Sequence, residues 1–100
     1  MPPAKKEEKV KFKFNGKNWT IRFVKSKDMP GSFGECDDHR YKKPEIWINR
    51  NLSEKDKLDT IIHEMLHATH PELSEESVSE TASAIAKILF RLNLRFISKD

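Results

Sequence analysis

The apolar positions of this chain keep two different rhythms. In the first third they alternate: Val10, Phe12 and Phe14, then Trp19, Ile21 and Phe23. A period of two is that of a strand with one buried face. Asn15-Gly16 lies between the two runs. Both residues accept positive φ, so the pair predicts a tight hairpin over residues 9–25. Counting back from the turn sets Phe12 opposite Trp19 and Val10 opposite Ile21 on one face. Lys9, Lys11, Lys13 and Arg22 fall on the other. A further alternation places Ile46 and Ile48 among Glu45, Trp47 and Asn49. It predicts a strand over 44–49, and Pro44 at its start suggests an edge position. A short extended piece near Glu35 to Asp37 would add a fourth strand. "SKDMPGSFG" at 26–34 reads as a loop and "DDHRYKK" at 37–43 as a turn.

From Ser53 onward the period becomes helical. Ser53 is a good N-cap, with Glu54 and Asp56 in the first turn to complement the helix dipole. Leu58, Ile61, Ile62, Met65 and Leu66 form the apolar stripe. Pro71 ends this helix by disfavouring helical geometry at His70. Ser74 caps a second helix, whose stripe runs through Val78, Ala82, Ile85, Leu89 and Leu92. The short "PEL" link makes the two helices an antiparallel pair. The predicted class is α+β: an N-terminal antiparallel sheet of three to four strands (hairpin 9–25, strand 44–49) packed on helices over 53–70 and 74–93.

With 36% hydrophobic and 35% charged residues, this is the composition of a folded domain with a well-solvated surface. One hundred residues suffice for one domain with a modest core. Residues 1–8, rich in Pro, Lys and Glu, read as a disordered tail, which leaves 9–100 as the domain. A formal charge of +3 is too small to argue for nucleic acid by itself. Cys36 is the only cysteine, so a disulfide within the chain and a cysteine zinc cluster are both excluded. "MPPAKKEEKV" lacks the apolar segment of a secretory signal. "AIAKILF" is too short to span a bilayer. The expectation is a soluble cytoplasmic protein with no membrane partner.

The chemistry is concentrated in "HEMLHATHPELSEE", residues 63–76. His63 and His67 are four apart on a predicted helix, so both imidazoles can reach one ion. Glu64 lies beside them and can take the proton of a metal-bound water, which then attacks a peptide carbonyl. This is the mechanical content of H-E-x-x-H. The alternative is a helix surface that happens to carry two histidines.

"LDTIIHEMLHATHPELSEESVSETASAIAKILFRL", with "GECD" and "IWINRNLSEKDK" before it, resembles the small zincin-like metallopeptidases of phages and prophages. These are distant relatives of the SprT-like and gluzincin groups. The resemblance covers roughly residues 18 to 96. It implies a minimal zincin fold: a twisted sheet, an active-site helix and a second helix that supplies a metal ligand. It implies His63 and His67 as metal ligands and Glu64 as general base. It also places the chain in the cytoplasm of a bacterial host cell if phage-encoded. The Gly and third His of the metzincin pattern are missing, which excludes that subgroup.

The third ligand is the open position. Glu75 falls about 60° around the second helix from Val78, whereas Glu76 and Glu80 fall about 160° away on either side. Glu75 is therefore the choice, with Glu76 and Glu80 as alternatives should the helix tilt. His70 stands about 10.5 Å along the axis from His63 and would need an unwound helix to join the ion. Asp59, one turn before His63, could steady that imidazole or simply favour the helix N-terminal half. His39 and Tyr41 are candidate oxyanion partners that nothing in the pattern positions. Cys36, Trp19 and Trp47 read as core or sheet-face residues.

The expected function is thus a zinc-dependent metallopeptidase with one Zn2+ per chain, held by His63, His67 and Glu75, and a protein or peptide substrate paired along the 45–49 edge strand. The competing reading is a non-catalytic module whose basic hairpin face binds nucleic acid or a protein partner, with the metal structural or absent. Lysines on a strand face more often only solvate it.

Overall fold

The computed structural model describes residues 8–94. The expected tail, apart from Glu8, lies outside the described residues. Strands β1 (Glu8–Phe14) and β2 (Lys17–Val24) form the hairpin. Phe12 pairs with Trp19 and Val10 with Ile21. Asn15 (φ 53°) and Gly16 (φ 76°) both take the left-handed backbone that a two-residue hairpin turn requires. β3 (Gly34–Cys36) and β4 (Glu45–Asn49) complete a four-stranded sheet of order β1-β2-β4-β3.

Two expectations about the sheet are corrected. It is mixed, because β4 runs parallel to β2 and antiparallel to β3. The strand at 44–49 is also not an edge: β4 lies between β2 and β3. The reason is burial. Ile46 and Ile48 are wholly inaccessible to solvent, and neighbours on both sides achieve that. Pro44 precedes the ladder, so its missing N–H costs nothing there, and its carbonyl accepts from the Thr20 amide at 3.2 Å. The free edges are β1 and β3.

Helices α1 (Glu54–Thr69) and α2 (Glu75–Arg91) begin at the expected caps. Ser53 Oγ accepts from the Asp56 amide and Ser74 Oγ from the Ser77 amide, each at 3.1 Å. α1 packs against β3, β4 and α2. The core joins Trp19, Ile21 and Phe23 of β2, Ile46 and Ile48 of β4, and Ala68 of α1, with Phe12, Cys36, Ile61 and Met65 at its margin. The Phe12 ring stacks on Trp19.

The buried stripe of α2 differs from the expected one. Val78, Ala82 and Ala86 are buried, while Ile85 and Leu92 are 42% and 63% exposed. Small side chains let the two helices approach closely, which turns the contact arc toward Ala86. Ile85, Ile88 and Leu92 are left outside it. Among the described residues no helix is long and apolar enough to cross a membrane.

Candidate metal and proton-transfer site

α1 buries Thr60, Glu64 and Ala68, spaced i, i+4 and i+8 on the side that faces the sheet. His63 and His67 lie next to that arc and are only partly covered. Their Nε2 atoms are 3.2 Å apart, with the rings edge to face. The short link after His70 folds α2 back, and its first residue, Glu75, meets both histidines. Glu75 Oε2 lies 2.9 Å from His63 Nε2, and Oε1 lies 2.8 Å from His67 Nε2. The corrected α2 stripe explains this direction. Measured from Val78 around the axis, Ala82 and Ala86 lie at about 40° and 80°, and Glu75 at about 60°, in the middle of the arc that faces α1. Glu76 and Glu80 are exposed and stand outside the cluster.

The geometry can be tested against an ion. Ligands about 2.0–2.2 Å from a tetrahedral zinc stand roughly 3.3 Å from one another. The three separations of 2.8–3.2 Å lie slightly inside that figure, so a small outward shift would admit the ion. Two imidazoles and one carboxylate are a donor set that zinc accepts, and three protein ligands leave a fourth position open. His63, His67 and Glu75 are therefore able to hold the metal. Slight burial opposes ionisation of Glu75. His63, with the hydrogen bonds from His67 and Ser79, outweighs it and holds the carboxyl below its usual range.

Glu64 is 8% exposed. Burial raises its pKa, as do the Glu75 and Glu35 carboxylates to a smaller degree. The two histidines pull the other way. Its seat is made by Gly34 on β3. A β-carbon at Gly34 would stand 3.0 Å from Glu64 Cγ and 2.6 Å from Thr60 Cγ2. Only a glycine lets β3 approach α1 this closely. Two cavities flank Glu64. One, of about 270 Å³, is lined by Phe33, Gly34, Asp56, Asp59, Thr60 and His63. The other, of about 370 Å³, is bordered by Cys36, Asp37, Asp38, His39, His67 and Pro71.

The remaining candidates are placed as follows. His70 caps the end of α1, and its Nδ1 pairs with Thr69 Oγ1, away from the cluster. Asp59 accepts from Ser83 Oγ at 3.0 Å and so ties α1 to α2. His39 borders the second cavity, whereas Tyr41 is exposed and lines neither. Cys36 packs at the core margin. Burial, then the Glu64, Asp37 and Asp38 carboxylates, push its thiol up to about 12. Trp19 is core, and Trp47 sits on the outer sheet face with its indole N–H donated to Glu45. On that face Lys9, Lys11 and Lys13 are exposed, while Arg22 is paired with Glu45 at 2.9 Å. Sequence reasoning missed Gly34, Thr60 and Phe33. A glycine inside a strand is itself a signal of close approach, but residues 26–34 were expected to be loop throughout.

Comparison with protein-family models, with curated proteins and with solved structures finds no match for this chain.

Proposed function

We propose that this chain is a zinc-dependent peptidase with one zinc per chain, held by His63, His67 and Glu75. The observation that carries this reading is the convergence of three ligand atoms from α1 and α2 beside a buried carboxylate, Glu64, at a free sheet edge. A zinc bound there would polarise a carbonyl and make a water more acidic. Glu64 receives the proton of the attacking water and passes it to the leaving amine. Its low exposure favours a proton-accepting role over a merely solvated one.

The substrate strand is assigned to β3 instead of β4. The Asp37 amide donates to Glu45, and the Asn49 amide to Phe33. In an antiparallel ladder this directs the amides and carbonyls of Gly34 and Cys36 away from β4, toward the open edge, where the Gly34 carbonyl accepts from Ser32 Oγ at 3.2 Å. An extended peptide paired there lies along Glu64. Kinship with small zincin-like metallopeptidases belongs to the same proposal and rests on the motif and the helix hairpin. So does a cytoplasmic location, which a single unpaired cysteine suits.

The test is metal analysis of protein purified without added zinc, together with hydrolysis of an unstructured protein such as casein. About one zinc per chain and hydrolysis abolished in Glu64→Gln are expected. A metal-free protein, or equal activity in parent and variant, contradicts the reading.

A further inference from the structure

We infer that the cavity beside His63 selects a lysine or arginine side chain of the substrate, next to the scissile bond. The inference rests on the peptidase reading and adds the class of peptide cleaved. Asp59 and Asp56 stand four and seven residues before His63, so they continue the same face of α1 one and two turns beyond it. Both line the 270 Å³ cavity, which Phe33 walls on the β3 side and which opens onto His63 and Glu64. Phe33 is 57% exposed, which leaves part of its ring open to a side chain entering the cavity. Asp59 accepts one hydroxyl, from Ser83. Among the described residues, neither aspartate is in an ion pair. Lys55 and Lys57 neighbour Asp56 in sequence, but each is turned about 100° around the helix and neither lines the cavity.

The three chemical classes of side chain fare differently here. An apolar side chain would strip water from two carboxylates without replacing their hydrogen bonds. An acidic one would meet like charge. A lysine or arginine lays its methylene stem on Phe33 and presents its charged head to Asp56 and Asp59. The second cavity offers less free charge: both of its aspartates are engaged, whereas Asp56 accepts no side-chain hydrogen bond and joins no ion pair among the described residues. Asp38 is held by Arg40, and Asp37 accepts the Glu45 amide. The preference therefore belongs to one side of the scissile bond.

The experiment uses zinc-loaded full-length Glu64→Gln protein, which binds without turnover. Its ligands are four fluorescein-labelled nonapeptides that differ only in a central Lys, Arg, Leu or Glu. Fluorescence anisotropy should show the Lys and Arg peptides binding about tenfold more tightly than the Glu peptide, with Leu between, and the gap should narrow with added salt. Adding Asp56→Asn and Asp59→Asn should erase the preference while zinc content stays that of the parent. Asp56→Lys, at an exposed position that folding tolerates, should shift it toward the Glu peptide. Equal binding of all four peptides, binding of none at millimolar concentration, tightest binding of Leu, or a preference that survives both Asn changes would each overturn the inference. Failure of the peptidase reading is separate: it shows as a parent that cleaves none of the peptides even where binding follows charge.

Discussion

The α-carbon of Gly34 lies so close to Glu64 that a methyl group there would stand 3.0 Å from its Cγ and 3.1 Å from its Oε2. Strand and helix are thus in contact through a missing side chain. Gly34→Ala must move β3 away from Thr60 or push Glu64 aside. A loss of about 1–3 kcal/mol of stability is expected, the usual range for overpacking. Zinc content should remain that of the parent, because the three ligands lie elsewhere, while hydrolysis falls. Thermal melting and metal analysis of the same variant check this, and an unchanged melting temperature would refute the close contact.

Removing one metal ligand should uncouple zinc from stability. In the parent, added zinc is expected to raise the melting temperature by several degrees, since binding to the folded form alone is folding energy. His63→Ala, His67→Ala and Glu75→Gln should lose that rise and most of the bound metal. Glu76→Gln and Glu80→Gln should keep both. A zinc-dependent rise that persists in Glu75→Gln would remove that residue from the ligand set.

Glu64→Gln preserves shape but cannot accept a proton. The variant should retain zinc and fall at least about a hundredfold in kcat, the scale of general-base catalysis. Loss of metal together with activity would make Glu64 a ligand instead of a base.

Cys36 should be inert in the folded protein. With its thiol pushed up to about 12, roughly one molecule in ten thousand is thiolate at pH 8, and the thiolate is the reactive form. Iodoacetamide at pH 8 should label Cys36 only after denaturation. Rapid labelling of the native protein would show that the β3 margin opens.

The Arg22–Glu45 pair gives a signed pH dependence. The Arg22 hydrogen bond, chiefly, holds the Glu45 carboxyl below its usual value. A depressed folded value means that the unfolded chain binds more protons as pH falls. The contribution is therefore complete above the unfolded value of about 4.3 and is lost as pH drops through the folded one. Glu45→Gln should cost about 1 kcal/mol or less at pH 7, because the pair is partly exposed. Denaturant melts of the two proteins should differ at neutral pH and converge as the pH falls below the unfolded value and through the lowered folded one.

Local signals carried much of this molecule into its sequence. The Asn15-Gly16 turn, the caps Ser53 and Ser74, and the pairing of Phe12 with Trp19 each depend on neighbours in the chain, and each is where the pattern puts it. The position of Glu75 beside His63 and His67 was legible because helical periodicity fixes angles, although the α2 stripe read from the sequence differs in part from the buried one. Non-local relations stayed hidden. Nothing in "PEIWIN" says that its strand will lie between two others, since a buried interior strand and an edge strand share the same alternation. Nothing in "SFGEC" says that Gly34 will meet Thr60 and Glu64. Those facts follow from how the residues between β2 and β4 cross over.

The two halves of the site differ in the length of chain they need. The three candidate ligand atoms all come from residues 63–75, a single helical hairpin whose contacts are close in sequence. Such contacts form early in folding, at little cost in loop closure. The seat of Glu64 instead requires Gly34, brought in only when β3 has docked on β4 and the sheet is complete. If His63, His67 and Glu75 bind zinc as proposed, a chain with its hairpin formed and its sheet still open would have its ligands together but its carboxylate in water. On the proposed function, metal capture would then precede proton-accepting competence, and a partly unfolded molecule would carry its ion without cleaving what it touches.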